Sequence, residues 1–325
     1  MHEVFAATPA RLRAARLVSA AGLVALAIAL ATMPAFASDY TLLVCFKIFK
    51  YAALAQAWNL LAGYGGLVSL GSAAFIGIGA YTTAKLTIAT GVPLIPAMAL
   101  GGVTAAIFAA LVSPALFRLR GLYFVIATLA LASAAQIWMV NWNGLGGASG
   151  LYLTVSAPTT RGVYYMSLVI MAAATVLVAG VLRTRLGISL RAVRDNEDAA
   201  QEMGLWPFRT KLWAFGLSAA VMGVVGGLQA ARLSVIEPYG SFSLQWTIDI
   251  VNIAIIGGLG TVSGPLVGAV FVVWLGERLA DYPELHVAIT GALLILVIRF
   301  APYGLWGSLL RLKGETIWSR LRRRS

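Results

Sequence analysis

The stretch Leu94–Phe117, LIPAMALGGVTAAIFAALVSPALF, carries no charged residue and is followed at once by Arg118-Leu119-Arg120. Coiled as a helix at about 1.5 Å per residue it spans about 36 Å, enough to cross a hydrocarbon core of about 30 Å. Comparable apolar segments recur along the chain: Leu17 to Phe36, Leu42 to Leu61, Leu67 to Ile88, Leu122 to Val140, Val163 to Leu182, Leu212 to Leu233, Trp246 to Ile256, Val262 to Leu279 and Val287 to Phe300. Backbone amides in lipid must bond within their own segment, so these are expected to be helices; spanning strands would need short period-two alternation, which the sequence lacks. Composition agrees, with 60% of 325 residues hydrophobic and 11% charged, against about 25% charged in a soluble domain. The expected fold class is all-α, a polytopic transmembrane helix bundle of about ten spans. The segment Trp246 to Ile256 is short and runs into Gly257, Gly258 and Gly260, which predicts a broken or re-entrant helix.

A net charge of +12 could suggest a polyanion partner, but the basic residues sit between apolar segments and at the chain ends. That is membrane topology. Arg11, Arg13 and Arg16, then Arg118 and Arg120, then Arg183, Arg185, Arg191, Arg194, Arg209 and Lys211, and lastly the tail from Arg299 to Arg324 all fall on one side if there are ten crossings. The positive-inside rule makes that side, and both termini, cytoplasmic. Deleting any one span would put a basic cluster outside. Lys47 and Lys50 fit least well, and either snorkel outward or face a wet interior. The expected organisation is a cytoplasmic N-terminal segment 1–16, a transmembrane domain 17–310 with a cytoplasmic segment 183–211, and a basic cytoplasmic tail 311–325. Ala35-Phe36-Ala37 resembles a signal-peptidase site, but the preceding run exceeds a usual signal core of about 7–15 apolar residues, so the first helix is expected to stay. Cys45 stands alone, so it offers neither an internal disulfide nor a metal pair.

Asn59–Tyr81, NLLAGYGGLVSLGSAAFIGIGAY, is dense in glycine. Small residues allow close helix packing and also permit unwinding where a cavity is lined; both readings can hold at once. A charge at a helix centre costs about 2.5–3.5 kcal/mol on insertion scales, so each polar residue in a span needs a partner or water. Asn59, Ser69, Ser72, Phe75, Gln136, Asp249 and Asn252 are the candidates to line a translocation path, with Asp249 expected to face water or another helix and not lipid.

The segment Arg183–Lys211, RTRLGISLRAVRDNEDAAQEMGLWPFRTK, is the most informative. Asp195 is placed to cap a short helix with Glu197 and Asp198 in its first turn, and Gly204 to end it. So short a helix needs something to dock on: the protein's own inner face, or a groove in a partner with Leu205 and Trp206 as apolar anchors. Asp198-Ala199-Ala200, three residues, then Gly204 resembles the EAA loop through which ABC importer permeases meet their ATPase, with Asp in place of the usual Glu. The chain resembles permeases of the branched-chain amino-acid ABC importers over nearly its full length. The matching pieces are the glycine-rich stretch above, Gly121-Leu122-Tyr123-Phe124 with Ala127-Thr128-Leu129-Ala130, GGASGL from Gly146, LRAVRDNEDAAQEMG from Leu190 and GGLGTVSGPLVGA from Gly257. The family usually has His at the position of Ser72 and Thr at that of Leu145. The resemblance implies ATPase coupling through Arg194, Asp195, Asn196, Glu197, Asp198, Ala199, Ala200, Gly204, Leu205 and Trp206. It further implies a second, commonly unlike permease subunit, two cytoplasmic ATP-binding subunits and a periplasmic substrate-binding protein. The default solutes are leucine, isoleucine and valine, and close relatives carry urea, short amides or aromatic acids.

The chain has no G-x-x-x-x-G-K-S/T phosphate loop, so ATP must be hydrolysed by another chain and no cofactor is expected in this one. A secondary transporter would display carboxylates deep in the bundle as ion-coupling sites, and only Asp249 is well placed, with Glu277 near a span end. A membrane enzyme is the weaker reading, because His2 and His286 lie apart with no paired catalytic carboxylates or metal spacing. A channel of the aquaporin kind would give the cytoplasmic helix no role.

Overall fold

The computed structural model describes residues 22, 25, 27–153, 158–233, 235–280, 283–300 and 304–308. It is an all-α membrane bundle. Helices occupy Asp39–Asn59 (α1), Ser72–Thr90 (α2), Leu94–Leu116 (α3), Leu122–Asn141 (α4), Thr160–Val181 (α5), Arg185–Asp195 (α6), Glu197–Glu202 (α7), Pro207–Leu233 (α8), Pro238–Ser241 (α9), Leu244–Gly257 (α10), Gly264–Arg278 (α11) and Pro283–Phe300 (α12). The segment Leu17–Phe36 lies partly outside the described residues; its described part ends in a 3-10 turn at Met33–Ala35. Residues 1–16 and 311–325 lie outside them altogether. Among the described residues, four helices, α3, α4, α5 and α8, are long and apolar enough to cross a membrane by length and composition. In α8, 67% of the apolar window is buried, whereas α4 and α5 bury 28%, so α8 is central and the others keep apolar sides outward. Val103, Ile107 and Leu111, at four-residue spacing on α3, form such an exposed stripe.

The axis of the bundle is α1. Ser38 caps it, its Oγ accepting from the Thr41 amide at 3.3 Å, and every residue from Ala52 to Asn59 is buried. Alanines at 52, 53, 55 and 57 let neighbouring helices approach, and α5, α8, α10 and α11 all pack on α1. At Asn59 the helix widens into a π turn, Leu60–Tyr64, and then unwinds. The apolar run Leu67–Ile88 predicted one span; the helix instead starts at Ser72, after an irregular stretch through Gly71. That backbone is satisfied by side chains. Trp58 Nε1 donates to the Ser69 carbonyl at 2.8 Å, and Thr128 Oγ1 accepts from the Leu70 amide at 3.0 Å. Ser69 Oγ accepts from the Gly71 amide at 3.2 Å. Hydropathy reports the depth of these residues, and only the glycine content hinted that the helix is interrupted there.

Beyond the break, α2, α3 and α8 meet along small residues. A Cβ on Gly79 would collide with the backbone of Gly223, and one on Gly226 with the Ile76 carbonyl. Glycine thus serves close packing in α2 and unwinding before it. The short segment Trp246 to Ile256 is a short helix: α10 ends at Gly257, and Gly258 and Gly260 take φ values of 124° and 71° before α11 begins. Its 14 residues extend about 21 Å, less than the about 30 Å core. A two-residue antiparallel ladder, Leu151–Tyr152 (β1) with Val235–Ile236 (β2), ties together two connecting segments and is not a span.

Gly79→Val is expected to lower stability by about 1–3 kcal/mol through overpacking, read as a lower melting temperature and membrane yield. Gly216→Ala, where the added carbon meets open space, lowers neither.

Candidate functional site

The bundle has two polar regions, one at the Asn59 end of α1 and one toward its Asp39 end. At the Asn59 end, α10 and α11 turn tightly, and the turn is strapped to α1 by two amides one helical turn apart. Asn59 Oδ1 accepts from the Gly260 amide at 2.8 Å while its Nδ2 donates to the Thr261 carbonyl at 2.9 Å. Gln56 Nε2 donates to the Val262 carbonyl at 2.5 Å. Each bond answers a backbone group freed by the break in the helix, which in a dry interior would otherwise cost about 1–3 kcal/mol.

The segment α6–α7 docks on this same end. Arg194 Nη1 donates to the Gly63 carbonyl in the π turn at 2.9 Å, and its stem lies against Gly66. Gly63 in turn sits against Gly260. A continuous polar contact therefore runs from Arg194 through Gly63 and Asn59 to the α10–α11 turn. Glu197 pairs with Lys211 at the foot of α8 at 2.6 Å, and that lysine is only 9% exposed in its side chain. The Arg120–Asp198 pair, 3.6 Å apart, is exposed on both sides and contributes little.

The helix cap differs from expectation. Asp195 is the last residue of α6 and its Oδ1 pairs with Arg194 at 3.0 Å; Asn196 is the residue in extended conformation (φ −158°), and its Oδ1 accepts from the Asp198 and Ala199 amides at 3.1 and 3.0 Å. Aspartate and asparagine cap about equally well, so composition did not separate two neighbours; the preceding helix α6 did. Gly204 ends α7 as expected, at φ 82°, with its own amide bonded to the Gln201 carbonyl and that of Leu205 to Ala200. Ala200 is fully buried and Ala199 half-buried, while Leu205 is half-buried and Trp206 is 67% exposed with Arg209 against its ring. Met203 and Ile188 are also exposed.

Toward the Asp39 end lies a cavity of about 500 Å³ between α1, α8, α10 and α11. Lys47, Lys50 and Tyr51 face it from α1, Arg232 from α8, Gln245 and Asp249 from α10, and Glu277 from α11. Asp249 accepts from Tyr51 Oη and from Gln245 Nε2, each at 2.8 Å. Glu277 accepts from Lys47 Nζ at 2.5 Å and Tyr40 Oη at 2.9 Å. Lys47 and Lys50 thus face the interior, and their discord with the positive-inside pattern was the signal for this site. Their spacing with Tyr51, at i, i+3 and i+4, puts all three on one helical face. The sequence reading missed the role of Tyr51, Gln229, Arg232 and Gln245, which are unremarkable one at a time.

Of the residues picked for a path, Asp249 lines the cavity. Asn59 is in the strap, Ser69 in the irregular stretch and Ser72 buried at the start of α2, its hydroxyl without a protein partner among the described residues. Phe75 is buried, edge-on to Phe215 and Phe108. Gln136 on α4 and Asn252 on α10 are half-buried, and neither lines that cavity.

A helix bundle with a charged cavity at one end and a strapped helix break at the other has parts that suit a solute permease. Residues 40–298 match the family described as branched-chain amino acid transport system / permease component, and the chain belongs to that family. It is 28% identical to the high-affinity branched-chain amino acid transport system permease protein LivM of Escherichia coli strain K12, covering 87% of this chain and 74% of that one. It is likewise 28% identical to LivM of Salmonella typhimurium strain LT2 over 78% of this chain and 67% of that one. A shorter match, 33% identical over 38% of this chain and 42% of the other, is to the probable branched-chain amino acid transport permease protein LivH of Methanocaldococcus jannaschii. No solved structure matches the chain.

Asn196→Ala is expected to destabilise α7 by about 1 kcal/mol and speed hydrogen exchange at the Asp198 and Ala199 amides about fivefold. Asp195→Ala leaves those rates unchanged.

Proposed function

We propose that this chain is one membrane subunit of an ATP-driven importer for leucine, isoleucine, valine or similar small amino acids. It crosses the inner membrane about ten times with both termini cytoplasmic. The partners are a second permease subunit, commonly unlike, two cytoplasmic ATP-binding subunits that hydrolyse the ATP, and a periplasmic substrate-binding protein above. On this reading the Asn59 end of α1, with Arg194 and Lys211, faces the cytoplasm, and the charged cavity opens toward the periplasm. The observation that carries the reading is the bond from Arg194 to the Gly63 carbonyl at 2.9 Å, which joins the α6–α7 segment directly to the break in the axial helix.

The cycle is alternating access. Approach of the two ATPases moves α6–α7, with Trp206 and Met203 seated in an ATPase groove and Glu197 held by Lys211. Arg194 carries that displacement to Gly63, and the Asn59 strap carries it to the α10–α11 turn. The strap links α1 to the α10–α11 turn at the cytoplasmic end, opposite the outer cavity; in the proposed cycle its rearrangement opens the path inward, and hydrolysis resets it. A weakly binding cavity suits this scheme, because selectivity rests with the binding protein and solute must leave quickly. Membership in the permease family favours ATP drive over an ion gradient. Uptake that persists when ion gradients are collapsed and stops without ATP is the discriminating result, and a panel including urea and short amides fixes the solute.

Glu197→Lys, which breaks the Lys211 pair, and Gly204→Leu, which places a side chain at φ 82°, are expected to cut ATP-driven uptake by about tenfold while membrane insertion and assembly persist. Undiminished transport in both variants rejects docking through this segment. For sidedness, single cysteines at Trp206 and Tyr239 in a Cys45→Ser background are expected to react with a membrane-impermeant maleimide only from the cytoplasmic and only from the periplasmic face, respectively. The reverse pattern inverts the topology.

A further inference from the structure

The helix α2 begins inside the bundle, and its first turn is short of acceptors. Ser72 is 1% exposed, and Ala73 and Ala74 are fully buried in one apolar cluster with Ala132 and Ala135 of α4. The first amides of any helix have no partner within it. At the start of α1 a side chain answers one of them, Ser38 Oγ accepting from the Thr41 amide, but the residue in that position before α2 is Gly71, which has no side chain to offer. The Ala74 amide turns back to the Gly71 carbonyl at 3.1 Å; among the described residues, no acceptor meets the amides of Ser72 and Ala73, and the Ser72 hydroxyl has no protein partner either. Side chains lean toward the N-terminal end of a helix, so this hydroxyl lies over the same end as the free amides. Behind them stands the positive end of a 19-residue helix. A dry interior makes such a group of donors costly to leave unbonded.

Two smaller cavities approach this turn from opposite ends of the bundle. Gly65, Gly66, Leu67 and Val68 line one of about 350 Å³, beside Arg194. Ile76 and Ala80 line the other, of about 220 Å³, with Gln229 and Glu237. Ser72, Ile76 and Ala80 follow one another at four-residue spacing, so the hydroxyl sits one turn below a cavity wall on the same side of α2. Residues 69–75 belong to neither wall, and Ser69, Ser72, Ala73 and Phe75 are buried. The free donors are therefore shut off from both cavities and lie between them. The backbone that leads into them is lightly held: Thr128 Oγ1 accepts from the Leu70 amide at 3.0 Å, and Thr247 Oγ1 donates to the Leu70 carbonyl at 3.4 Å. The stem of Arg194 lies against Gly66, three residues before Ser69.

We propose that the first turn of α2 is a carboxylate-binding station on the solute path, where Ser72 Oγ and the amides of Ser72 and Ala73 donate to the α-carboxylate of an amino acid. Solute reaches it from the cavity at Ile76 and leaves by the cavity at Gly66, as the stretch before Ser72 shifts with Arg194. A buried helix N-terminus with free donors suits an oxyanion. Because the donors are neutral, they select a carboxylate without the grip of a full ion pair. The proposal deepens the importer reading and rests on it for the identity of the solute, while the donor set is testable by itself.

The test uses the assembled permease–ATPase complex in lipid nanodiscs without binding protein, and measures equilibrium binding of leucine, of 4-methylpentanoate, which lacks the ammonium, and of 3-methylbutylamine, which lacks the carboxylate. In parallel, ATP-driven leucine uptake is measured in proteoliposomes with the binding protein. Ser72→Ala removes an unbonded hydroxyl, so it is expected to keep the melting temperature of the complex while weakening leucine and 4-methylpentanoate about tenfold and leaving 3-methylbutylamine within about twofold. Ser72→Cys in a Cys45→Ser background is expected to react with a small methanethiosulfonate reagent during ATP turnover, and leucine to slow that reaction. Equal loss of all three ligands, unchanged binding of the carboxylates, or a wild-type complex that binds neither carboxylate overturns the station. So does a fall in melting temperature or in assembly with the ligand ranking unchanged, which assigns the hydroxyl to packing, and so does a thiol that leucine does not protect. A wild-type complex that shows the ligand pattern but no ATP-driven uptake upholds the station and overturns the importer reading.

Discussion

The fold of this bundle depends on one constraint: a helix that breaks inside the apolar interior must have its freed backbone groups bonded by protein, because no water is available to bond them. The axial helix α1 breaks after Asn59 and the α10–α11 pair breaks at Gly258, and the structure places the two breaks against each other. Asn59 resolves both at once. Its amide has one donor and one acceptor directed at adjacent backbone groups, which is what a neighbouring strand would offer; here a side chain does it from a helix end. Two short irregular segments are thereby fixed in register, and a third, the stretch before Ser72, is held by Trp58 and Thr128 in the same way.

The same constraint makes the break sensitive. A continuous helix shares its load over many backbone bonds, whereas the strap depends on a few side-chain bonds near Asn59, Gln56 and Gly63. Arg194 ends on the Gly63 carbonyl, so a displacement of α6 acts on the part of α1 that has the fewest bonds to lose. A long lever would be absorbed by side-chain repacking; a direct bond to a backbone carbonyl at a discontinuity is not. The helices α10 and α11 connect the two polar regions, since one end of each lies at the strap and the charged cavity draws Asp249 and Glu277 from the same pair.

Legibility from sequence followed the range of each interaction. Hydropathy gave the class and placed a helix in nearly every apolar segment, because burial in lipid is written into each segment separately. It misplaced the start of α2, since Leu67–Leu70 are apolar enough for a span and their unwinding depends on Trp58 and Thr128, distant residues with no local mark. The Schellman ending at Gly204 was legible because only φ near 82° is required of it; the cap was assigned one residue early because Asp195 and Asn196 are equivalent until α6 is known to end at Asp195. Asp249 stood out as a lone carboxylate in an apolar span. Its partners did not, for Tyr51 and Gln245 acquire meaning only when α1 and α10 are side by side.

The two polar regions also differ in how their groups are partnered. At the strap both ends of the Asn59 amide are bonded to backbone, and Gln56 bonds through its Nε2 while its buried Oε1 has no protein partner among the described residues. In the cavity Lys47 pairs with Glu277, while Lys50 lies among three rings and Gln229, with Arg232 and Asp249 in the same wall.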